Sequence, residues 1–326
     1  MKISNQDLLE RVENVLRENR SLHRETRDII INSKARVNIG TQKLLTQMYR
    51  ERAGNGEILS FRDVGYSNYS QFNEDGVLEY IFALIGTTNK VIVEMCCGTG
   101  LECNAANLII NHGWSGLLFD GSEENIAYAS QFFNRHLSYF NRPKLKHAWI
   151  TKNNFNDLML ENNIGGEIDV FSLDIDGNDY WLLKALEAIT PRVIILEAHM
   201  HLGPDLEYTV PYSDGFVVGV HDFDGAPTRM HSGASVLAFK NICEEQGYRL
   251  IGKSGTPSPN IIFMKNGIGE EYFPAIEVED IFKDFGHVWM DLYRRMREVS
   301  LDKFEWIDLA KQRRDFKSQT PKQEAS

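Results

Sequence analysis

Cysteine is scarce in this chain: Cys96, Cys97, Cys103 and Cys243 are all there is in 326 residues. They form no CxxC pair and no even framework of the kind that staples small secreted domains. Positions 96, 97 and 103 are also poorly spaced for a tetrahedral zinc site. The opening MKISNQDLLE has no apolar core, so no secretory signal is expected. No run approaches the roughly 18 apolar residues of a membrane helix, so no membrane span is expected either. These absences predict a reduced, cytoplasmic protein. Basic residues are in the minority, 35 Lys and Arg against 46 Asp and Glu, for a formal net charge of −11. That balance argues against nucleic acid as a partner, because phosphate contacts need clustered cations.

Hydrophobic residues make up 42% and charged residues 25%, which is ordinary globular composition. The charge is uneven. Residues 1–52 carry 11 Lys and Arg against 7 Asp and Glu, while the remainder carries 24 against 39. Within that basic arm, Leu8, Val12, Val15, Asn19, Leu22, Thr26 and Ile29 follow alternating steps of four and three, the period of a coiled-coil seam. A homo-oligomer joined through residues 8–29 is one reading, and an amphipathic helix lying on its own domain is the other. Gly54, Asn55 and Gly56 then break the pattern. The expected organisation is a helical arm over residues 1–53, a domain over 68–267, and a helical extension with a polar tail over 268–326.

From about residue 68, short β-branched runs alternate with helical patterns. VIVEM (91–95), GLLFD (116–120), KLKHAWI (144–150), IDVFSLD (168–174) and RVIILEA (192–198) read as strands, with helices over 71–85, 104–112, 123–136, 154–162, 178–188 and 232–247. Such alternation predicts an α/β fold, a Rossmann-like, doubly wound and mostly parallel sheet. YRLIG (248–252) and NIIFMK (260–265) predict a terminal hairpin that adds an antiparallel strand. Residues 199–231 are long and irregular for a compact domain, which marks them as functional. The stripe Phe282, Phe285, Trp289, Leu292, Tyr293 and Met296 reads as packing.

The chemistry gathers at the strand ends. VIVEMCCGTG puts Glu94 at a strand tip, followed by a turn with Gly98 and Gly100 where backbone can approach a ligand closely. The turn has no lysine and is not a P-loop. GLLFD ends in Asp120, placed where a carboxylate grips ribose hydroxyls in nucleotide-binding sheets; Asp120 and Ser122 are both also candidates to cap the next helix. FSLDIDGNDYW places Asp174 and Asp176 on one side of the chain. LEAHMH adds Glu197, His199 and His201. Asp174, Asp176, Glu197 and His199 thus make a cluster that could bind a divalent cation or supply an acid–base pair.

These residues resemble a known family. SQFNEDGVLEYIF, VIVEMCCGTG, GWSGLLFDGS, VFSLDIDGNDYWLLKAL and PRVIILEAH are similar, in order, to blocks of the FkbM-like class I S-adenosylmethionine-dependent methyltransferases. The resemblance spans about residues 68–265; Cys96 stands where the family has its first glycine. It implies S-adenosylmethionine as cofactor, with Glu94, Gly98 and Gly100 cradling the methionine part and Asp120 holding the ribose. It further implies Ser122 and Asn153–Asn154 near adenine, Asp174 at the amino group or reacting centre, and Ser70, Gln71, Glu74 and Asp75 over the pocket. The implied acceptor is a hydroxyl of a sugar, nucleotide-sugar or glycan. On this reading His199 or Asp176 takes the proton, with an optional Mg2+ held by Asp174, Asp176 and His199. Two rivals stand beside it. Asp174-Ile-Asp176 is the DxD of metal-dependent glycosyltransferases, and a Rossmann-like assembly protein without catalysis is the other.

Overall fold

Near-continuous apolar runs such as VFSL and VIIL can be hidden only in strands covered on both faces, and that is where they lie. A computed structural model describes Arg11, residues 35–255 and residues 258–319. Seven strands make one sheet: β1 (Val91–Met95), β2 (Ser115–Asp120), β3 (Lys144–His147), β4 (Gly166–Leu173), β5 (Ile189–Glu197), β6 (Tyr248–Lys253) and β7 (Asn260–Lys265). Their spatial order is β3-β2-β1-β4-β5-β7-β6. Neighbours from β3 to β5 are parallel, and β7 runs antiparallel to both β5 and β6. The expected terminal hairpin therefore supplies the single reversed strand.

The described helices are α1 (Ile39–Gly54), α2 (Phe61–Val64), α3 (Glu74–Ile85), α4 (Ala106–His112), α5 (Glu123–His136), α6 (Phe155–Glu161), α7 (Asp179–Lys184), α8 (Val236–Glu245), α9 (Val278–Phe282), α10 (His287–Lys303) and α11 (Leu309–Gln319). Alternate strand residues face opposite ways. Val93, Leu117, Phe171, Ile194, Leu196 and Phe263 pack in one core with Phe155 and Met159 of α6, Leu182 and Leu183 of α7, and Phe239 of α8. Ile92, Leu118, Val170, Val193 and Ile262 are equally buried from the other face. Each such side chain contributes about 1.5–3 kcal/mol through burial.

Residues from Ile39 onward form one compact unit, so α1 belongs with the sheet. It packs on α3, where the Thr46 hydroxyl donates to Glu79 at 2.9 Å and Arg50 Nε donates to the Ala83 carbonyl at 2.9 Å. The seam positions from Leu8 to Ile29 lie outside the described residues. Glu74, at the start of α3, is fully buried and reaches the last hairpin: its Oε1 accepts from Ser254 Oγ and from Asn260 Nδ2, both at 2.7 Å.

The 199–231 segment is pinned by α10 and the residues after it. Arg297 grips Asp205 with two bonds of 2.8 and 2.7 Å, Ser300 Oγ donates to the Met230 carbonyl at 2.9 Å, and the His231 ring meets the Glu305 carbonyl at 2.8 Å. The stripe from Phe282 to Met296 is split between α9 and α10 by the break ahead of Gly286. Among the described residues no helix is long and apolar enough to cross a membrane.

Candidate active site

Parallel strands deliver their carboxyl ends to one edge of the sheet, and every strand-tip residue singled out in the sequence arrives there. Met95 pairs with Phe119, so Glu94 and Asp120 stand on neighbouring tips. The chain then turns sharply through Cys96, Gly98 and Gly100, with φ of 70°, 57° and 82°. A side chain at Gly100 would strike the Phe132 ring at 2.7 Å, whereas the space beyond Gly98 is open. Cys96 adopts the left-handed backbone that glycine adopts freely, at a cost of about 1–2 kcal/mol.

Glu94 is buried and holds this turn together. Its Oε1 accepts the Asn104 N–H at 3.0 Å, and its Oε2 accepts the Ala105 N–H at 2.7 Å and the Cys103 thiol at 3.1 Å. Burial pushes its carboxyl up to about 7, against the pull of those donors. These bonds explain why the helix read from 104 begins at Ala106: the preceding N–H groups point at Glu94.

Asp120, also buried, bridges two turns. Its Oδ2 accepts the Gly98 N–H at 2.9 Å, while Oδ1 accepts the Ser122 N–H at 2.8 Å and the Asn125 amide at 3.0 Å. The Cys96 thiol, a weak donor, lies 3.7 Å from Oδ2. With Oδ1 saturated, a ligand hydroxyl has room at Oδ2 alone, so the expected grip on two hydroxyls reduces to one. Ser122 caps α5, its side chain accepting the Asn125 N–H. Ser122→Ala is therefore expected to cost about 1 kcal/mol of stability and to leave nucleoside affinity within about twofold. Thermal melts and calorimetry with S-adenosylhomocysteine separate that role from an adenine contact.

A cleft opens between the tips of β1, β2, β3 and β4. Cys96, Asp120, Trp149, Ile150, Ile175 and Phe216 line it, around a volume of about 80 Å³. It is an apolar slot with a carboxylate at one end, the chemistry of a base and a hydroxylated sugar, and it is large enough to take in only part of such a ligand. Trp149 Nε1 donates to the Asp214 carbonyl and Asn178 Nδ2 to the Ser213 carbonyl, both at 2.7 Å, so residues 213–214 bridge the two walls. Asn153 is exposed on the turn before α6 and is not among the lining residues; Asn154 spends its amide on the Trp149 carbonyl at 2.9 Å. Trp149 sits in a run that reads as strand to residue 150, yet β3 ends at His147 and frees the ring.

Leu173 pairs with Leu196, which sets Asp174 beside Glu197 on adjacent tips. Asp174, Asp176 and Glu197 each bring a carboxylate oxygen within 4.8 Å of the others. Burial first, and then the repulsion of neighbouring acids, push both Asp174 and Glu197 upward. Asp176, at φ 54°, meets the Arg229 guanidinium at 2.6 Å. His199 stands outside this group. Its Nε2 lies 2.7 Å from Ser232 Oγ, and burial, reinforced by His231, pushes its imidazole down to about 4. Of the two residues that the sequence groups with these aspartates, Glu197 joins them and His199 does not. Three hard oxygens would suit Mg2+, and the Arg229 guanidinium already meets one of the three carboxylates.

A second cleft takes in Glu197 of this cluster. Glu197, His199, Arg229, Phe72, Trp289 and Tyr293 line it, around an open space of about 260 Å³. Phe72 belongs to the turn ahead of α3, where Asp75 Oδ2 gathers the N–H groups of Asn68, Tyr69 and Ser70 at 2.7, 2.7 and 3.0 Å. Ser70 and Gln71 precede α3, and Glu74 and Asp75 open it.

No family model matches the chain, and no curated protein matches it. Among solved structures it is similar to magnesium protoporphyrin IX methyltransferase from Synechocystis PCC 6803 with bound SAM, at 14% identity over 72% of this chain and 88% of that one, TM-score 0.35. It is similar also to an O-methyltransferase from Bacillus cereus in complex with SAH, at 12% identity over 72% and 94%, TM-score 0.37. A third is the N-terminal domain of EvdMO1 in the presence of SAH and D-fucose, at 16% identity over 67% and 95%, TM-score 0.38. Likeness at this level lends no weight to an activity. The strand order from β3 to β5, and the small-residue turn after β1, are those of a Rossmann-like fold.

Proposed function

We propose that this chain is an S-adenosylmethionine-dependent O-methyltransferase of FkbM-like type, acting on a hydroxyl of a sugar, nucleotide-sugar or glycan. The observation that carries the reading is the position of the acidic cluster. Ile175, which stands between Asp174 and Asp176 in the chain, lines the nucleoside slot, while Glu197 of the same acidic cluster lines the second cleft. Three carboxylates against one guanidinium make the site acidic, the complement of a sulfonium.

Bound S-adenosylmethionine supplies an electrophilic methyl group whose transfer discharges the sulfonium. Asp120 Oδ2 takes a ribose hydroxyl, Trp149 and Ile150 flank the base, and Glu94 keeps the glycine turn in shape from behind. Alignment of acceptor oxygen with methyl carbon supplies much of the rate, up to about 7–11 kcal/mol in favourable cases. The Asp174–Glu197 pair stands where it can receive the hydroxyl proton, a contribution of roughly 10²–10⁴-fold. His199 is neutral and orients on Ser232.

Calorimetry with S-adenosylhomocysteine, UDP and GDP tests the cofactor: binding of S-adenosylhomocysteine alone is expected, and binding of UDP or GDP alone would turn the reading to glycosyl transfer. With labelled S-adenosylmethionine and a panel of nucleotide sugars, Glu197→Gln is expected to lower transfer roughly 100-fold or more, with S-adenosylhomocysteine affinity kept within about threefold. EDTA is expected to leave turnover unchanged, because the Arg229 guanidinium already sits on Asp176. Full activity in Glu197→Gln would remove the pair from the chemistry.

A further inference from the structure

The second cleft has two unlike walls, and the difference between them says what kind of acceptor fits. One wall is polar: the Glu197 carboxyl and the Arg229 guanidinium, with the acidic cluster beneath. The other is supplied by α10, in the extension beyond residue 268 that lies outside the region of family resemblance. Trp289, Tyr293 and Met296 are spaced four and three residues apart, so they share one helix face, and all three line the cleft, as does Phe72. The Trp289 ring is 38% exposed, stands 5.9 Å from Tyr293 and is backed through it by Phe285 at 5.4 Å. The bonds from Arg297 to Asp205 and from Ser300 to Met230 hold this face against the 199–231 segment.

Resting on the methyltransferase reading above, we propose that Trp289 is the stacking platform for one pyranose ring of the acceptor and sets acceptor specificity. A pyranose has the same two-sided chemistry as the cleft: a face of C–H groups that packs on an aromatic ring, and a rim of hydroxyls that needs charged or polar partners. A phenolic acceptor such as catechol presents hydroxyls along one edge of a flat ring only and would leave the remaining polar groups of the wall desolvated and unpaired. The cleft volume of about 260 Å³ is just below the range of roughly 300–1,000 Å³ for small-molecule pockets. It suits one ring unit, with any remainder of a longer glycan outside. Trp289 touches no part of the nucleoside slot, so its contribution is confined to the acceptor.

The test uses the full chain with S-adenosylhomocysteine present and saturation-transfer NMR against methyl pyranosides of glucose, galactose, mannose and rhamnose, with catechol as the phenolic probe. Binding of at least one pyranoside is expected, weakened about tenfold or more in Trp289→Ala and restored to within about threefold in Trp289→Phe. S-adenosylhomocysteine affinity is expected to stay within about twofold in both variants, which shows that the fold and the slot are intact. Pyranoside binding that is equal in Trp289→Ala, or binding of catechol with no pyranoside, would overturn the proposal. Wild-type protein that binds a pyranoside through Trp289 but binds no S-adenosylhomocysteine would keep the platform and remove the methyltransferase reading instead.

Discussion

Asp120→Ala is expected to raise the dissociation constant for S-adenosylhomocysteine at least about 100-fold, equivalent to roughly 2.7 kcal/mol, and to lower the melting temperature at the same time. The two effects have one origin. The carboxylate accepts the Gly98 N–H from the turn after β1, and the Ser122 N–H and Asn125 amide from the start of α5. Removing it strands partly buried donors at about 1–3 kcal/mol each and frees the turn that shapes the slot. It also removes the single accessible acceptor for a ribose hydroxyl. Asp120→Asn keeps one oxygen and the size of the group, so a smaller loss of about tenfold is expected. Calorimetry and thermal denaturation on both variants check this. Unchanged affinity in a folded Asp120→Ala protein would place the nucleoside elsewhere.

The largest loss of stability is expected far from the cleft, from Arg192→Met. At the amino end of the sheet, Asp169 is fully buried and accepts N–H groups from Thr88, Asn89 and Lys90 at 2.7–3.0 Å. Arg192, almost as buried, donates to Asp169 at 2.7 Å and to the carbonyls of Gly86 and Ile85. Taking away the cation leaves a buried carboxylate uncompensated, which costs about 3–5 kcal/mol. Urea titration reads the shift in midpoint, while S-adenosylhomocysteine affinity of the folded fraction is expected to be unchanged. Burial by itself would raise the Asp169 carboxyl, but Arg192 and the three backbone N–H groups outweigh it and hold it below its ordinary value of 3.8. A depressed carboxyl stabilises the native state above its unfolded pKa and ceases to do so as pH falls through the folded one. The wild-type advantage over Arg192→Met is therefore expected to persist at neutral pH and to shrink in acid below about pH 4.

Most of the sheet could be read from the chain because burial on both faces imposes an apolar signature. VIVEM falls on β1 as read, and NIIFMK on β7. The ends were less legible, and the reasons are tertiary. Glu94 reaches across to Asn104 and Ala105 and delays α4. The run KLKHAWI loses its last three residues because Trp149 turns toward Asp214. Among site residues, those on strand tips were visible, because topology alone carries them to one edge. The Asp174–Glu197 contact was within reach of the sequence too: two consecutive parallel strands, each ending in an acid at the same offset, bring those acids together. Trp149, Arg229 and Trp289 were not visible as site residues. They arrive from a loop, an irregular segment and a terminal helix, whose positions depend on contacts between distant parts of the chain.

The bonds from Glu74 to Ser254 and Asn260 span 180 and 186 residues of sequence. Synthesis is vectorial, so a nascent chain that has left the ribosome as far as α8 has its glycine turn but lacks the polar partners that cap Glu74 at the start of α3. Until β7 slides between β5 and β6, that carboxyl has no side-chain donors from the hairpin and the β5 edge is bare. Maturation of the pocket is thus tied to the arrival of the final two strands, and a chain stopped short of residue 265 exposes a sticky sheet margin to the cell's quality-control machinery.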